Sequence, residues 1–169
     1  MKKLILGLLC IGLTSPALAQ IIKTEELSEV TVYATNYKYL NTLASEEPAA
    51  VPVQMLERKV AACNLENSDY YVDQYDYYQI QFYIPEGKIL AAYDKDGKIL
   101  RTVERFENVA LPHSVKEAVL DRFPGWEITK DVYRVHYHQD KGANKTYKLR
   151  LENGDKKLRV KIDENGNFL

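Results

Sequence analysis

The sequence predicts an α+β fold: helices packed on one face of an antiparallel sheet, assembled from a duplicated helix-plus-sheet unit. Three observations predict it. Several segments alternate apolar and polar residues between strong turn signals, which is the period of half-buried strands. Two segments opened by Pro52 and Pro112 carry apolar residues at helical spacing instead. An ungapped internal repeat then sets Tyr78–Leu100 over Tyr147–Leu169.

Taken in chain order, residues 29–40 (EVTVYATNYKYL) are rich in β-branched and aromatic side chains and read as a strand. Residues 44–50 hold Ser, Glu, Glu and Pro and read as a linker, with Glu46 and Glu47 solvated. Val53, Leu56 and Val60 give a helix from Pro52 to Asn64. Residues 64–69 are polar and turn-like. A strand over residues 75–84 puts Tyr78, Ile80, Phe82 and Ile84 on one face and Tyr77, Gln79, Gln81 and Tyr83 on the other. A turn at Pro85-Glu86-Gly87, a strand over 88–93, a hairpin turn at 94–97 and a strand over 98–106 follow. Pro112 opens the next helix, with Val115, Ala118, Val119 and Phe123 as its stripe, and Pro124-Gly125 stops it. A long strand over 126–138, a polar loop over 139–144, a strand over 145–152, a turn at 153–155 and a last strand over 156–163 complete the chain. In the repeat, Tyr78 meets Tyr147, Lys88 meets Lys157, Asp94 meets Asp163, Gly97 meets Gly166 and Leu100 meets Leu169. Each copy follows one of the proline-opened helices. The resulting organisation is a leader at 1–19, a strand and linker at 20–51, and two repeats at 52–106 and 112–169.

The N-terminus reads as an export signal. Lys2 and Lys3 form a charged start, residues 4–13 an apolar run, and Ala17-Leu18-Ala19 a small-residue cleavage site, so the mature chain is expected to begin at Gln20. The apolar run is too short to span a bilayer. A periplasmic or secreted location follows, with no membrane span after cleavage. Cleavage removes Cys10 and leaves Cys63, which reads as a small buried hydrophobe, so stability rests on packing without a disulfide. The 169 residues hold 23 Lys+Arg against 24 Asp+Glu, for a net charge of −1. That balance supplies no global basic field and argues against nucleic acid as a partner. With 46% apolar residues, the chain is not composed like a disordered one.

No residue set names a reaction. His136 and His138 share a strand face, but a zinc site needs further ligands and none stands at the right spacing, so no metal site is assigned. Asp94-Lys95-Asp96-Gly97 and Asp163-Glu164-Asn165-Gly166 open like calcium loops, yet position twelve after Asp94 is Arg105, and hairpin turns explain both. No catalytic residue and no cofactor is assigned, because nucleophile-elbow, phosphate-loop and zinc-protease motifs do not occur. An adenylyltransferase reading fails because no histidine opens an H-x-G-H-type phosphate site and no parallel βαβ alternation is present.

Strand parity carries more. With Tyr133, Val135, Tyr147, Leu149, Leu151, Leu158, Val160 and Ile162 facing the helices, the other face carries Arg134, His136, His138, Lys148, Arg150, Lys157, Arg159 and Lys161. Such charges also serve to solvate an open antiparallel sheet and to block edge pairing. Tyrosine and glutamine on the first half are not needed for that. Tyr77, Tyr83, Arg134, His136, Lys148, Arg150 and Arg159 are therefore the expected binding residues: rings for contact area, cations for steering.

The helix SVKEAVLDRFPGWEITK, the following Tyr133-Arg134-Val135 and the hairpin YKLRLENGDKKLRVKIDENGNFL resemble the PepSY-like, beta-lactamase-inhibitor-like family of small exported bacterial proteins. The resemblance covers residues 52–169. It implies helices on an antiparallel sheet whose other face meets a partner, and binding or inhibition rather than turnover. It implies a protein partner, such as an envelope peptidase or another hydrolase. A periplasmic small-ligand or ion binder and a small enzyme with an unrecognised site remain the alternatives.

Overall fold

The computed structural model describes residues 35–69 and 71–169. The leader, Gln20 and residues 29–34 of the expected first strand lie outside them. In chain order the elements are α1 (Tyr37–Leu43), α2 (Val51–Ala61), β1 (Tyr77–Ile84), β2 (Gly87–Asp94), β3 (Ile99–Glu107), α3 (His113–Arg122), β4 (Glu127–His138), β5 (Gly142–Asn153) and β6 (Lys156–Asp163). The strands form one six-stranded sheet in the order β1-β2-β3-β4-β5-β6, and every neighbouring pair is antiparallel. This is the α+β arrangement that the sequence predicts. No helix among the described residues is long and apolar enough to cross a membrane.

Of the expected strand over 29–40, the described residues are not extended: Thr35 is helical, and residues 37–40 belong to the helix Tyr37–Leu43. Tertiary contacts override the strand propensity of its tyrosines: Tyr39 and Leu43, one helical turn apart, are both buried. Asn36 pins the start of α1. Its Nδ2 donates to Ala61 O and Gly97 O, 3.1 Å each, and its Oδ1 accepts from Ile99 N at 2.8 Å. The helix at Pro52 ends at Ala61, three residues earlier than its spacing suggests. The polar stretch at 139–144 is shorter as a loop, since β5 begins at Gly142 and pairs back to His138.

The two hairpins coincide at a displacement of 69 residues. Tyr77 pairs with Asp94 and Ile84 with Gly87, as Thr146 pairs with Asp163 and Asn153 with Lys156. Tyr93 pairs with Ile99, as Ile162 bridges to Phe168. Both following turns are built alike. Asp94 Oδ1 accepts from the backbone of Asp96 and Lys98, and Asp163 Oδ1 from the backbone of Asn165 and Asn167. These carboxylates are engaged by their own turns, which accounts for the calcium-like spelling. The copies differ in phase: β4 intervenes between α3 and the second hairpin, whereas β1 directly follows the α2 segment.

Glu47 is not simply solvated. Pro112 caps α3 without a side-chain hydrogen bond, and Glu47 supplies the missing acceptor by taking the backbone N–H of His113 at 2.6 Å and of Ser114 at 3.2 Å. Those two bonds, with the nearby His113 and Lys116, hold its carboxyl below the usual range. Lys145 fastens the same linker. Its buried Nζ donates to Leu43 O and Ser45 Oγ and pairs with Glu164 Oε2 at 2.8 Å.

The core lies between the helices and the inward face of the sheet, and much of it is tyrosine. Tyr133 stacks on Tyr147 with ring centroids 4.6 Å apart, and Tyr39 meets Tyr137 edge-on at 5.1 Å. Glu104 on β3 points into this core and is wholly buried. Its Oε1 accepts from Tyr39 Oη at 2.8 Å and Thr102 Oγ1 at 2.6 Å, while Oε2 has no ordinary donor among the described residues. Glu57 of α2 is in hydrogen-bonding contact with Glu104, and burial pushes both carboxyls well above the usual range.

Two predictions follow from this packing. A Cβ at Gly87 would stand 2.4 Å from both Arg105 O and Phe106 Cδ1. Gly87→Ala should therefore cost about 1–3 kcal/mol in chemical denaturation. Lys156 occupies the matching place on β6, where no further strand abuts, so Lys156→Ala should stay within about 0.5 kcal/mol. The raised pKa values of Glu57 and Glu104 make the folded state hold more protons than the unfolded one. Their contribution is full in the ordinary carboxylate range and is lost as the pH rises through neutrality. Melting temperature should fall between roughly pH 5 and pH 9, and Glu57→Gln, which keeps a donor but cannot ionise, should flatten that slope.

Candidate interaction face

Opposed residues of antiparallel strands share a face, so the registers fix the outward one. One row across the sheet reads Tyr83, Lys88, Arg105, Arg134 and Thr146. The row beside it reads Gln81, Leu90, Val103, His136 and Asn144. On the far side, Val132 lies opposite Lys148 and Lys148 opposite Lys161, while Lys130, Arg150 and Arg159 form the next row. Most inward positions of the same strands are buried, with Ile80, Phe82 and Ile84 half-buried on β1, and most outward ones are exposed, Thr146 being buried.

The structure splits the expected binding residues into two groups. Tyr77 and Tyr83 lie on the β1 edge, 44% and 76% exposed. Lys148 and Arg150 on β5 and Arg159 on β6 stand at the other end, about 20 Å away at the usual strand spacing. Arg134 and His136 on β4 lie between. Arg134 is half-buried between Arg105 and Thr146, with its Nε buried and without a hydrogen-bond partner among the described residues. His136 is exposed, opposite Val103 and Asn144. Leu90 and Val103, also exposed, extend the tyrosine end, where Lys88 stands opposite Tyr83 and Arg101 donates to Tyr77 Oη at 2.9 Å.

The basic end is concentrated. A cavity of ≈730 Å³ there is lined by Lys148, Arg150 and Arg159 together with Arg105, Lys130 and Lys161, with Arg122, Phe123, Phe168 and Leu169 also in its wall. Some of this charge is answered locally. Glu107 pairs with Lys130 at 3.1 Å and with Arg105, which holds its carboxyl below the usual range. Glu152 takes Arg150 at 3.1 Å. Lys148, Arg159 and Lys161 make no ion pair among the described residues. They are the cations with capacity for an anionic ligand.

Arg105 and Lys130 were not among the expected binding residues. The alternation of β3 hid Arg105, because Leu100 is an extra residue: Tyr93 pairs with Ile99 and Ala92 with Arg101. That bulge turns Val103 outward and Glu104 inward, against their hydrophobicity. A similar irregularity between Ile128 and Lys130 sets Lys130 opposite Arg150. Among the described residues, no group of three or more metal-ligating side chains comes together. Two acids that burial pushes above the usual carboxylate range border cavities: Glu57 one of ≈250 Å³ with Ser45, Gln54 and Arg58, and Asp131 one of ≈460 Å³ with Leu120, Trp126 and Ile128.

No protein-family model matches the chain, and no curated protein matches it. Among solved structures the chain is similar to a BLIP-like protein from Bacteroides fragilis, at 17% identity, over 74% of this chain and 86% of that one, with a TM-score of 0.33. A likeness of that size carries no functional argument. The PepSY-like part of the resemblance finds no counterpart in these comparisons.

Proposed function

We propose that this chain is an exported binding protein that docks an acidic protein partner on the open face of its sheet. One observation carries the reading: Lys148, Arg159 and Lys161 stand without ion pairs around a ≈730 Å³ cavity, in a chain whose net charge is −1. Local concentration of one sign in a near-neutral protein steers a partner of the opposite sign and fixes its register. Tyr83, Leu90 and Val103 supply the apolar area that cations alone lack. Export rests on the reading of residues 1–19, and inhibition of an envelope peptidase or hydrolase is the specific role that the sequence resemblance adds.

One observation favours a second reading, a small enzyme. Glu57 borders a cavity, and burial holds its carboxyl above the usual range. It lies against Glu104, however, and a general acid must be free to give its proton to substrate. The core role explains the same facts without a substrate.

Capture from an envelope extract of the source organism, with the protein immobilised after expression from its own N-terminus, tests the binding reading. Arg150→Glu combined with Arg159→Glu should reduce recovery of a specific acidic protein by about tenfold or more, with an unchanged melting temperature. Equal recovery by both folded forms would sink the assignment of this face.

A further inference from the structure

The two edges of the sheet are built in opposite ways. An edge strand presents unpaired backbone donors and acceptors, and proteins that stay unpaired blunt it with Lys, Pro, bulges or a covering segment. The β6 edge has such protection. It carries Lys156, Lys157, Arg159 and Lys161, and the chain end folds against it through the Ile162–Phe168 bridge and a 2.9 Å hydrogen bond from Leu169 N to Lys161 O. The β1 edge has none of these devices among the described residues. Its eight residues, YYQIQFYI, hold no charge and no proline, and its register with β2 runs from Tyr77–Asp94 to Ile84–Gly87 without a bulge.

The same eight residues are complementary to themselves. Antiparallel pairing sets residues of one face opposite each other. Centred on Ile80, a second β1 places Tyr77 opposite Tyr83 and Gln79 opposite Gln81 on the outward face, and Tyr78 opposite Phe82 on the inward one. Ring meets ring and amide meets amide, the pairs that stabilise neighbouring strands. Centred on Gln81 instead, Tyr83 would meet Gln79 and this match is lost. An edge without charge offers an acidic partner nothing to select, whereas a second copy finds its own pattern.

We propose that a second copy of this chain occupies the β1 edge, β1 against β1 in antiparallel register about Ile80, forming a twofold dimer with a continuous sheet. The twofold axis of such a pair runs perpendicular to the sheet, so both outward faces look the same way. Tyr77, Gln79, Gln81 and Tyr83 become the central strip, and a basic cavity lies on each wing. Dimerisation itself does not depend on what the basic end binds.

Sedimentation velocity of the full protein, expressed from its own N-terminus, tests this over roughly 1 to 100 µM. The parent should sediment as a dimer. Gln79→Lys with Gln81→Lys sets like charges opposite each other across the seam and should raise the dimer dissociation constant by about tenfold or more, with unchanged circular dichroism. Ile80→Cys should form an intermolecular disulfide beyond the parent's background, because directly opposed Cα atoms lie about 4.5–5.5 Å apart. A parent that stays monomeric over the whole range overturns the proposal, including the case in which residues 29–34 of the same chain cover the edge. So does a dimer that survives the lysines. Arg150→Glu with Arg159→Glu should leave the dimer intact, so failure here and failure of the partner-binding reading are separately visible.

Discussion

Glu104 is the constraint around which the other layers are arranged. A carboxyl in the middle of a sheet, aimed into the core, is costly unless it is met by donors. Tyr39 on α1 and Thr102 on its own strand donate to it, and Glu57 on α2 lies against it. The Tyr39 and Glu57 contacts each require a helix to lie at a set position over β3. With Lys145 binding the end of α1 and the following linker to Glu164, and Glu47 capping α3 from that linker, the helical layer is tied to the sheet at both ends. A half-satisfied polar network destabilises a core, and a complete one specifies a single arrangement.

Fixing the helices on one face leaves the other open, and its chemistry is graded. Tyrosine, glutamine, leucine and valine predominate on the β1–β3 side, with Lys88, Arg101 and Arg105 among them, while lysine and arginine gather over β4–β6. The same sheet thus offers mainly aromatic and aliphatic area at one end and charge around a cavity at the other. Both properties arise from alternation, since every inward core residue obliges an outward neighbour.

Local features of the sequence were sufficient where structure depends on local chemistry. The alternation of residues 77–84 placed each side chain on its observed face. Asp-x-x-Gly at 94–97 and 163–166 marked turns because a short carboxylate and a glycine at positive φ satisfy them without distant help. Pro52 and Pro112 stand at the starts of their helices, where a missing N–H costs nothing. Where a residue's partner lies far along the chain, local signals failed. Residues 37–40 read as strand and fold as helix because Asn36, Tyr39 and Leu43 find partners on α2, β3, β4 and β5. Glu47 reads as solvated until α3 arrives uncapped beside it.

By itself, then, the sequence determined the α+β class, the hairpins and their turns, the two proline-opened helices and the parity of most strands. These depend on backbone dihedrals and on a period of two or 3.6, which neighbouring residues set together. Only the tertiary structure decided that Glu104 and Lys145 are buried, that Arg105 and Lys130 join the basic end, and that Tyr77 and Tyr83 stand about 20 Å from it. Those facts depend on strand order and on two bulges, which arise from how the strands pair with one another.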